Sequence, residues 1–173
     1  MCKEFMNTIQ KRQHLFKEAR DIPYHIATDG EADASCATKS FMLQRRLASL
    51  GIGSIFAYGT FSWRQLNLPV ELTDLLPNDE GWHQWLRVFI PETGVWIDLD
   101  AAWDSGLQEI LPIAAWDGLN STGIAVPIQR RCSDEENALI TSSGYKPREV
   151  ERYMQEFRPF LLSLNKYLVR VRG

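Results

Sequence analysis

The sequence is poor in the residues that build cross-linked or metal-held folds. Its three cysteines, Cys2, Cys36 and Cys132, are an odd number set far apart, with no Cys-x-x-Cys spacing, which argues against a disulfide framework or a zinc ribbon. Three histidines leave little material for a metal centre. A zinc site from Cys36, His83 and an aspartate is chemically permissible, but no fourth ligand shows paired spacing, so no metal and no cofactor is expected. Nowhere does an apolar run approach the ~18 residues that span a bilayer, and Met1-Cys2-Lys3-Glu4-Phe5-Met6 offers no continuous apolar stretch for a leader. The expectation is a cytoplasmic protein with no membrane partner. Excess positive charge is missing as well: 19 basic against 22 acidic residues leave −3, so no global electrostatic footprint points to nucleic acid. Internal repeats and low-complexity tracts are absent.

What is present suits one ordinary folding unit. The 173 residues are close to a single domain at ~150 residues per domain, and residues 1–173 are read as one. An apolar content of 45% allows a real core without staples. The one compositional anomaly is tryptophan: all six lie between positions 63 and 116. Core packing is the cheapest explanation for such a cluster.

Periodicity divides the chain. Phe5, Met6, Ile9 and Phe16 at helical spacing predict an amphipathic helix over 3–20, ended by Arg20 to Tyr24 because the residue before Pro23 is pushed out of helical geometry. A polar stretch then leads into Cys36 and a second helix reaching Leu50, with Asp33 or Ser35 as its N-cap and Gly51 as its stop. Strands are predicted at 54–61, 83–90 and 95–100, the last two joined by the turn Pro91-Glu92-Thr93-Gly94 into a hairpin. A long segment over 66–81 reads as a functional loop or as disorder, and 124–128 as an edge strand carrying Pro127. The tail, about 146–170, follows helical spacing through Val150, Tyr153, Met154 and Phe157, with Pro159 expected to kink or restart it. The fold class is therefore α+β, helices flanking an antiparallel sheet.

A thiol nucleophile needs a helix N-terminus or cation to favour thiolate, a histidine to exchange protons, and a third group to fix that histidine's tautomer. Cys36 opens a helix, where the dipole is positive. His83 begins one hairpin strand, and Asp98 and Asp100 lie near the end of the other, on the face of Trp96. Across an antiparallel pair the start of one strand lies opposite the end of the next, so an acid there can reach the imidazole.

The run Ser35-Cys36-Ala37-Thr38-Lys39 heading a helix that ends Leu50-Gly51-Ile52, then Trp82-His83-Gln84-Trp85, then Trp96-Ile97-Asp98-Leu99-Asp100, resembles the core of the transglutaminase-like superfamily, the papain-like Cys-His-Asp cysteine enzymes. The resemblance covers roughly residues 20 to 104. It implies a nucleophile-bearing helix packed on an antiparallel sheet, with Cys36 as nucleophile, His83 as general base and acid, and Asp100, four after Trp96, as the orienting carboxylate; Asp98 is the second choice. Ser40 stands where some members carry a histidine. The motif that arylamine acetyltransferases carry around their cysteine is missing.

The implied activity is thiol-dependent acyl transfer on a peptide, protein or small amide, with hydrolysis, peptidase- or amidase-like, favoured over cross-linking. The alternative is a silent domain of the same fold that binds a peptide or protein partner. For the oxyanion hole the Cys36 backbone N–H is the first donor, and the second is a Trp N–H, a Tyr hydroxyl or another backbone group. Lys39 either assists the thiolate or covers core. His14 is expected at the surface, and His25, Cys2 and Cys132 are structural or exposed. Trp82, Trp85, Trp96 and Trp103 bracket the hairpin site and in part wall its cleft, whereas Trp63 and Trp116 are assigned to packing.

Overall fold

Phe16 and Ala19 on one helix and Leu43 and Leu47 on the next bury their apolar stripes against the same surface of a sheet, which is why the chain begins with a helix pair. A computed structural model describes residues 8–143 and 147–173. In it α1 spans Thr8–Arg20 and α2 spans Cys36–Ala48. The predicted helix positions 3–7, Cys2, and position 146 lie outside the described residues.

Four antiparallel strands follow: β1 (Ser54–Ser62), β2 (Glu80–Ile90), β3 (Val95–Leu99) and β4 (Ile128–Arg131), in the order β3-β2-β1-β4. The β2–β3 hairpin pairs Leu86 with Leu99 and Ile90 with Val95, and its turn closes where Gly94, at φ 68°, donates to the Ile90 carbonyl at 2.8 Å. The architecture is thus mixed α+β, a curled four-stranded antiparallel sheet with flanking helices. Leu86, Val88, Ile90, Ile97 and Leu99 make the sheet's share of the core that α1 and α2 cover.

A second core gathers Tyr24, Phe61, Trp63, Trp103 and Leu107 around α5 (Pro147–Arg172). This helix runs through Pro159 as one element and so does not restart there. A mid-helix proline costs about 3 kcal/mol. Phe157, Phe160, Leu161, Leu164 and Leu168 are all buried on the two sides of it, at ~1.5–3 kcal/mol for each such side chain, and that continuous stripe outweighs the local penalty. The far end of α5 is clamped by Arg172, whose guanidinium donates to both Asp104 oxygens at 3.0 and 2.6 Å and to the Tyr24 carbonyl.

Three further expectations are corrected. The 66–81 segment is ordered rather than disordered: it contains the short helix α3 (Val70–Thr73) and packs Leu66, Leu68, Leu72 and Leu76 into the second core. The edge strand starts at Ile128, not at 124, because Pro127 has no N–H to give and the backbone of Ala125 is taken elsewhere: its N–H goes to Asp100 and its carbonyl to Trp103. A helix not anticipated, α4 (Asp134–Ser143), starts on a reciprocal cap in which Ser133 N–H donates to Glu136 at 2.7 Å and Glu136 N–H to Ser133 Oγ at 3.2 Å. No helix among the described residues is long and apolar enough to cross a membrane.

Candidate active site

Cys36 is the first residue of α2, so its N–H has no helical carbonyl to bond and points out of the helix start. Ser35 is the N-cap, with extended backbone, but its hydroxyl does not cap the helix; it donates to Asp33 at 2.7 Å. Asp33 organises the approach instead, accepting also from the Ser35 and Ala27 N–H groups and from the Thr38 hydroxyl. At the other end Gly51, φ 73°, turns the chain, and Ile52 N–H returns to the Leu47 carbonyl at 3.1 Å.

The helix is set against β2 by two side chains. Ser40 Oγ donates to the Gln84 carbonyl at 3.2 Å, which ties α2 to the residue after His83. Lys39 is completely buried, and its ammonium donates to the carbonyls of Arg20, Ile22 and Ala102 at 2.6, 2.7 and 2.8 Å. It staples the end of α1, the start of α2 and the chain after β3. Burial brings its pKa down to about 8, with Asp104 pulling upward and Arg172 downward.

His83 is buried in β2, paired in register with Gly59 of β1. Its Nε2 lies 2.6 Å from Asp100 Oδ2. Asp100, 1% exposed, also accepts the N–H groups of Ala125 at 2.8 Å and Ala102 at 3.0 Å, and its own N–H donates to Thr122 Oγ1. With its acceptor sites filled this way the carboxylate has a single orientation, and it fixes the imidazole's. Cys36 acts on the imidazole as a hydrogen-bonding and electrostatic neighbour. Burial pulls the His83 pKa down, but the charge and hydrogen bond of Asp100, followed by Cys36, outweigh it and carry the value up to about 10.

Aromatic rings hold the imidazole flat. Trp85 stacks on it at 5.9 Å and 18°, and Phe61 meets it edge-on at 6.4 Å. Two glycines make room for those rings. A Cβ on Gly59 would sit 3.3 Å from the Trp85 indole and 2.8 Å from the Arg130 carbonyl, and one on Gly81 would meet the Phe61 ring at 2.5 Å.

Cys36 and His83 open on a cleft of about 610 Å³. Tyr24, Phe61, Trp63, Trp82 and Trp103 wall one part of it, and Leu139 and Ile140 of α4 with Val150 and Tyr153 of α5 wall another. The structure thus brings Cys36, His83 and Asp100 together and assigns Asp98 elsewhere: it accepts from Trp85 Nε1 and Arg131, each at 2.9 Å. Of the tryptophans assigned to the cleft, Trp82 and Trp103 line it, Trp85 backs His83, and Trp96 lies half-exposed beside Phe89 on β3. Trp63, assigned to packing, also lines the cleft, and Trp116 does pack, edge-on to Phe16. His14 is exposed beside Glu18, His25 contacts Glu31, and Cys132 is a free, buried thiol. The α4 wall was missed, although Ser133-Asp134-Glu135-Glu136 carries the capping-box signature that announces a helix.

Among the described residues no group of three or more His, Cys, Asp or Glu is arranged to hold a metal ion. Compared with protein-family models, characterised proteins and solved structures, the chain matches none.

Proposed function

We infer that this chain is a thiol-dependent acyl-transfer enzyme of transglutaminase-like, papain-like type, working as a hydrolase on an amide bond of a peptide, protein or small molecule. The observation that carries this reading is the alignment of three groups at the mouth of one cleft: Cys36 at a helix N-terminus, His83 beside it, and Asp100 buried behind His83 at 2.6 Å. An imidazole whose pKa is held near 10 is a cation at neutral pH and supplies the counter-charge for a thiolate. Two unpaired cysteines, Cys36 and Cys132, fit a reducing compartment such as the cytoplasm.

The chemistry follows from those positions. The Cys36 thiolate attacks the amide carbonyl and forms an S–C bond, and the tetrahedral oxyanion takes a hydrogen bond from the Cys36 N–H. His83 gives its proton to the nitrogen as the C–N bond breaks, so the amine leaves neutral and a thioester remains. Water then adds to the thioester, its proton passes to His83, and the acid leaves as the C–S bond breaks, regenerating thiolate and imidazolium. Asp100 holds the same ring edge throughout.

The test is mass-spectrometric measurement of Cys36 alkylation by chloroacetamide from pH 5 to 9 in the parent and His83→Ala. The parent is expected to react at neutral pH at least about tenfold faster than glutathione, with the advantage gone in the variant. Reaction no faster than glutathione, unchanged by His83→Ala, would sink the enzyme reading and leave a silent binding domain.

A further inference from the structure

The cleft beside Cys36 is unusual for an amide-hydrolysing site in what it lacks: apart from the Cys36–His83 pair itself, no described residue lining it carries charge. Its walls are rings and branched aliphatics, with Tyr24 and Trp103 packed at 4.5 Å and Phe61 and Trp63 at 4.8 Å. A cavity of about 150 Å³ already accepts a benzene ring. At about 610 Å³ this one has room for a ring and the amide groups on either side of it.

A second observation is independent of the apolar lining. Trp63 is 4% exposed, and its Nε1–H is buried with no hydrogen-bond acceptor. An indole N–H is a donor only, and a buried one without an acceptor is rare enough to need a reason. Its place is held firmly: the Trp63 backbone N–H donates to the Asp79 carbonyl at 3.1 Å, and the next N–H, of Arg64, to Asp79 Oδ1 at 2.8 Å. Tyr153 lies in the same wall. Burial pushes its phenol up to about 12, so at neutral pH it is a second neutral donor, close to the Trp63 N–H but outside hydrogen-bond geometry with it.

We propose that the cleft binds the part of the substrate next to the scissile carbonyl, and that this part is an uncharged aromatic group bearing one oxygen acceptor, which the Trp63 N–H takes. The ring fills the space between Tyr24, Phe61, Trp103 and the α4–α5 wall; the acceptor, such as a neighbouring amide carbonyl, satisfies the orphan donor. A carboxylate in this cleft would lose its hydration, and the one cation among the described lining residues, the His83 imidazolium, is already paired with Asp100 and the Cys36 thiolate. The proposal rests on the reading of Cys36 as a catalytic thiol and names the substrate class for it.

The experiment uses chloroacetamide probes, in which the thiolate displaces chloride, a C–S bond replaces the C–Cl bond, and the thiol's proton remains on His83. Second-order rates are measured on the full chain for N-methyl-, N-benzyl- and N-(4-carboxybenzyl)-chloroacetamide, each divided by its rate with glutathione. Burial of the ring is expected to raise the benzyl over the methyl probe by about tenfold or more, and the carboxylate to remove that gain. A fast methyl probe with no benzyl advantage, or a carboxybenzyl probe as fast as benzyl, overturns the substrate class while the enzyme reading stands. If every probe reacts as slowly as with glutathione, the enzyme reading itself fails.

The acceptor is read separately, by comparing N-chloroacetyl-phenylalaninamide with N-phenethyl-chloroacetamide, which lacks its carbonyl. The carbonyl is expected to bring a gain of about three- to tenfold in the parent, a ratio that collapses toward one in Trp63→Phe. Should Trp63→Phe not fold, the parent alone is read, and a ratio near one there overturns the acceptor. A carbonyl advantage that persists in Trp63→Phe overturns the role of the indole.

Discussion

Asp98 and Asp100 are two residues apart, yet each is matched to a different aromatic partner on β2. Continuing the hairpin register from Leu86 and Leu99 would set Trp85 opposite Asp100 and His83 opposite Ala102. Both acids are reached on the diagonal instead, Asp98 by Trp85 Nε1 and Asp100 by His83 Nε2. The Asp98 side chain is 22% exposed and shares its charge with an Arg131 that is 53% exposed, whereas the Asp100 side chain is 1% exposed and takes its other hydrogen bonds from backbone N–H groups. One acid therefore sits in a solvated ion pair at the rim, and the other in a dry, fully satisfied niche. Burial and backbone donors, not closeness in sequence, separate the carboxylate that orients the imidazole from the one that holds the ring behind it.

The sharpest way to break this contrast is to remove each acid in turn. Asp100→Ala frees the imidazole to rotate and removes its counter-charge, and is expected to lower kcat/KM on a cleaved amide by about 10²–10⁴-fold, as for the third member of other triads. Asp98→Ala leaves the Trp85 N–H without its acceptor but keeps the stack on His83, so a loss of about tenfold or less is expected. Steady-state kinetics on purified variants decides it. Equal losses would mean that the two niches act as one unit, and a larger loss at Asp98 would reverse the assignment.

A second contrast appears in the pH dependence of stability. The folded pKa of His83 is raised from 6.5 to about 10, so the stabilisation it brings is fully present below pH 6.5 and is lost as pH rises toward 10. Cys36 adds to that rise after Asp100, so the measurement in the Cys36→Ala background isolates the part that Asp100 supplies. The buried Lys39, its pKa brought down to about 8, starts to lose its proton toward pH 8 and adds a slope of the opposite sign, so the reading is taken between pH 6.5 and 7.5, where it is mostly protonated. In that window the urea-derived stability of Cys36→Ala is expected to fall by up to about 1.4 kcal/mol per pH unit, and adding Asp100→Asn should flatten the line. Adding Asp98→Asn should not. A slope that survives Asp100→Asn would show that Asp100 does not set the charge of His83.

How far these features could be read from the sequence depended on how local their causes are. The cysteine at the start of α2, the hairpin and its Pro-Glu-Thr-Gly turn are written in caps, alternation and turn residues that act over a few positions, and they stand where the pattern puts them. The order of preference between the two acids came from the family spacing, and the physical reason for it lies far away, in the N–H of Ala125 and the hydroxyl of Thr122. The same long-range demand removed residues 124–127 from the predicted strand. Trp63 does pack in the second core as read, but a period-based reading cannot see that its buried indole N–H has no acceptor. The unbroken α5 shows the opposite limit: the proline rule was correct locally and was outweighed by five buried side chains.

The smallest effect tests the outer edge of the contrast. Arg131 lies over the Trp85 ring at 5.2 Å and bonds Asp98 at 2.9 Å, so cation, indole and imidazole form one stack from solvent to Cys36. If charge were transmitted along that stack, Arg131 would disfavour the imidazolium of His83 and matter to catalysis. Its exposure argues otherwise. An ion pair this solvated contributes ~0.2–1 kcal/mol. A cation over an exposed ring face adds ~0.5–1 kcal/mol. Both weaken when salt shortens the reach of charge. Arg131→Ala is therefore expected to cost about 1 kcal/mol of stability or less, to cost still less in 1 M salt, and to leave kcat/KM within about twofold. A rate change approaching that of Asp100→Ala, or a shift in the pH dependence of Cys36 alkylation, would join the two niches that the structure keeps apart.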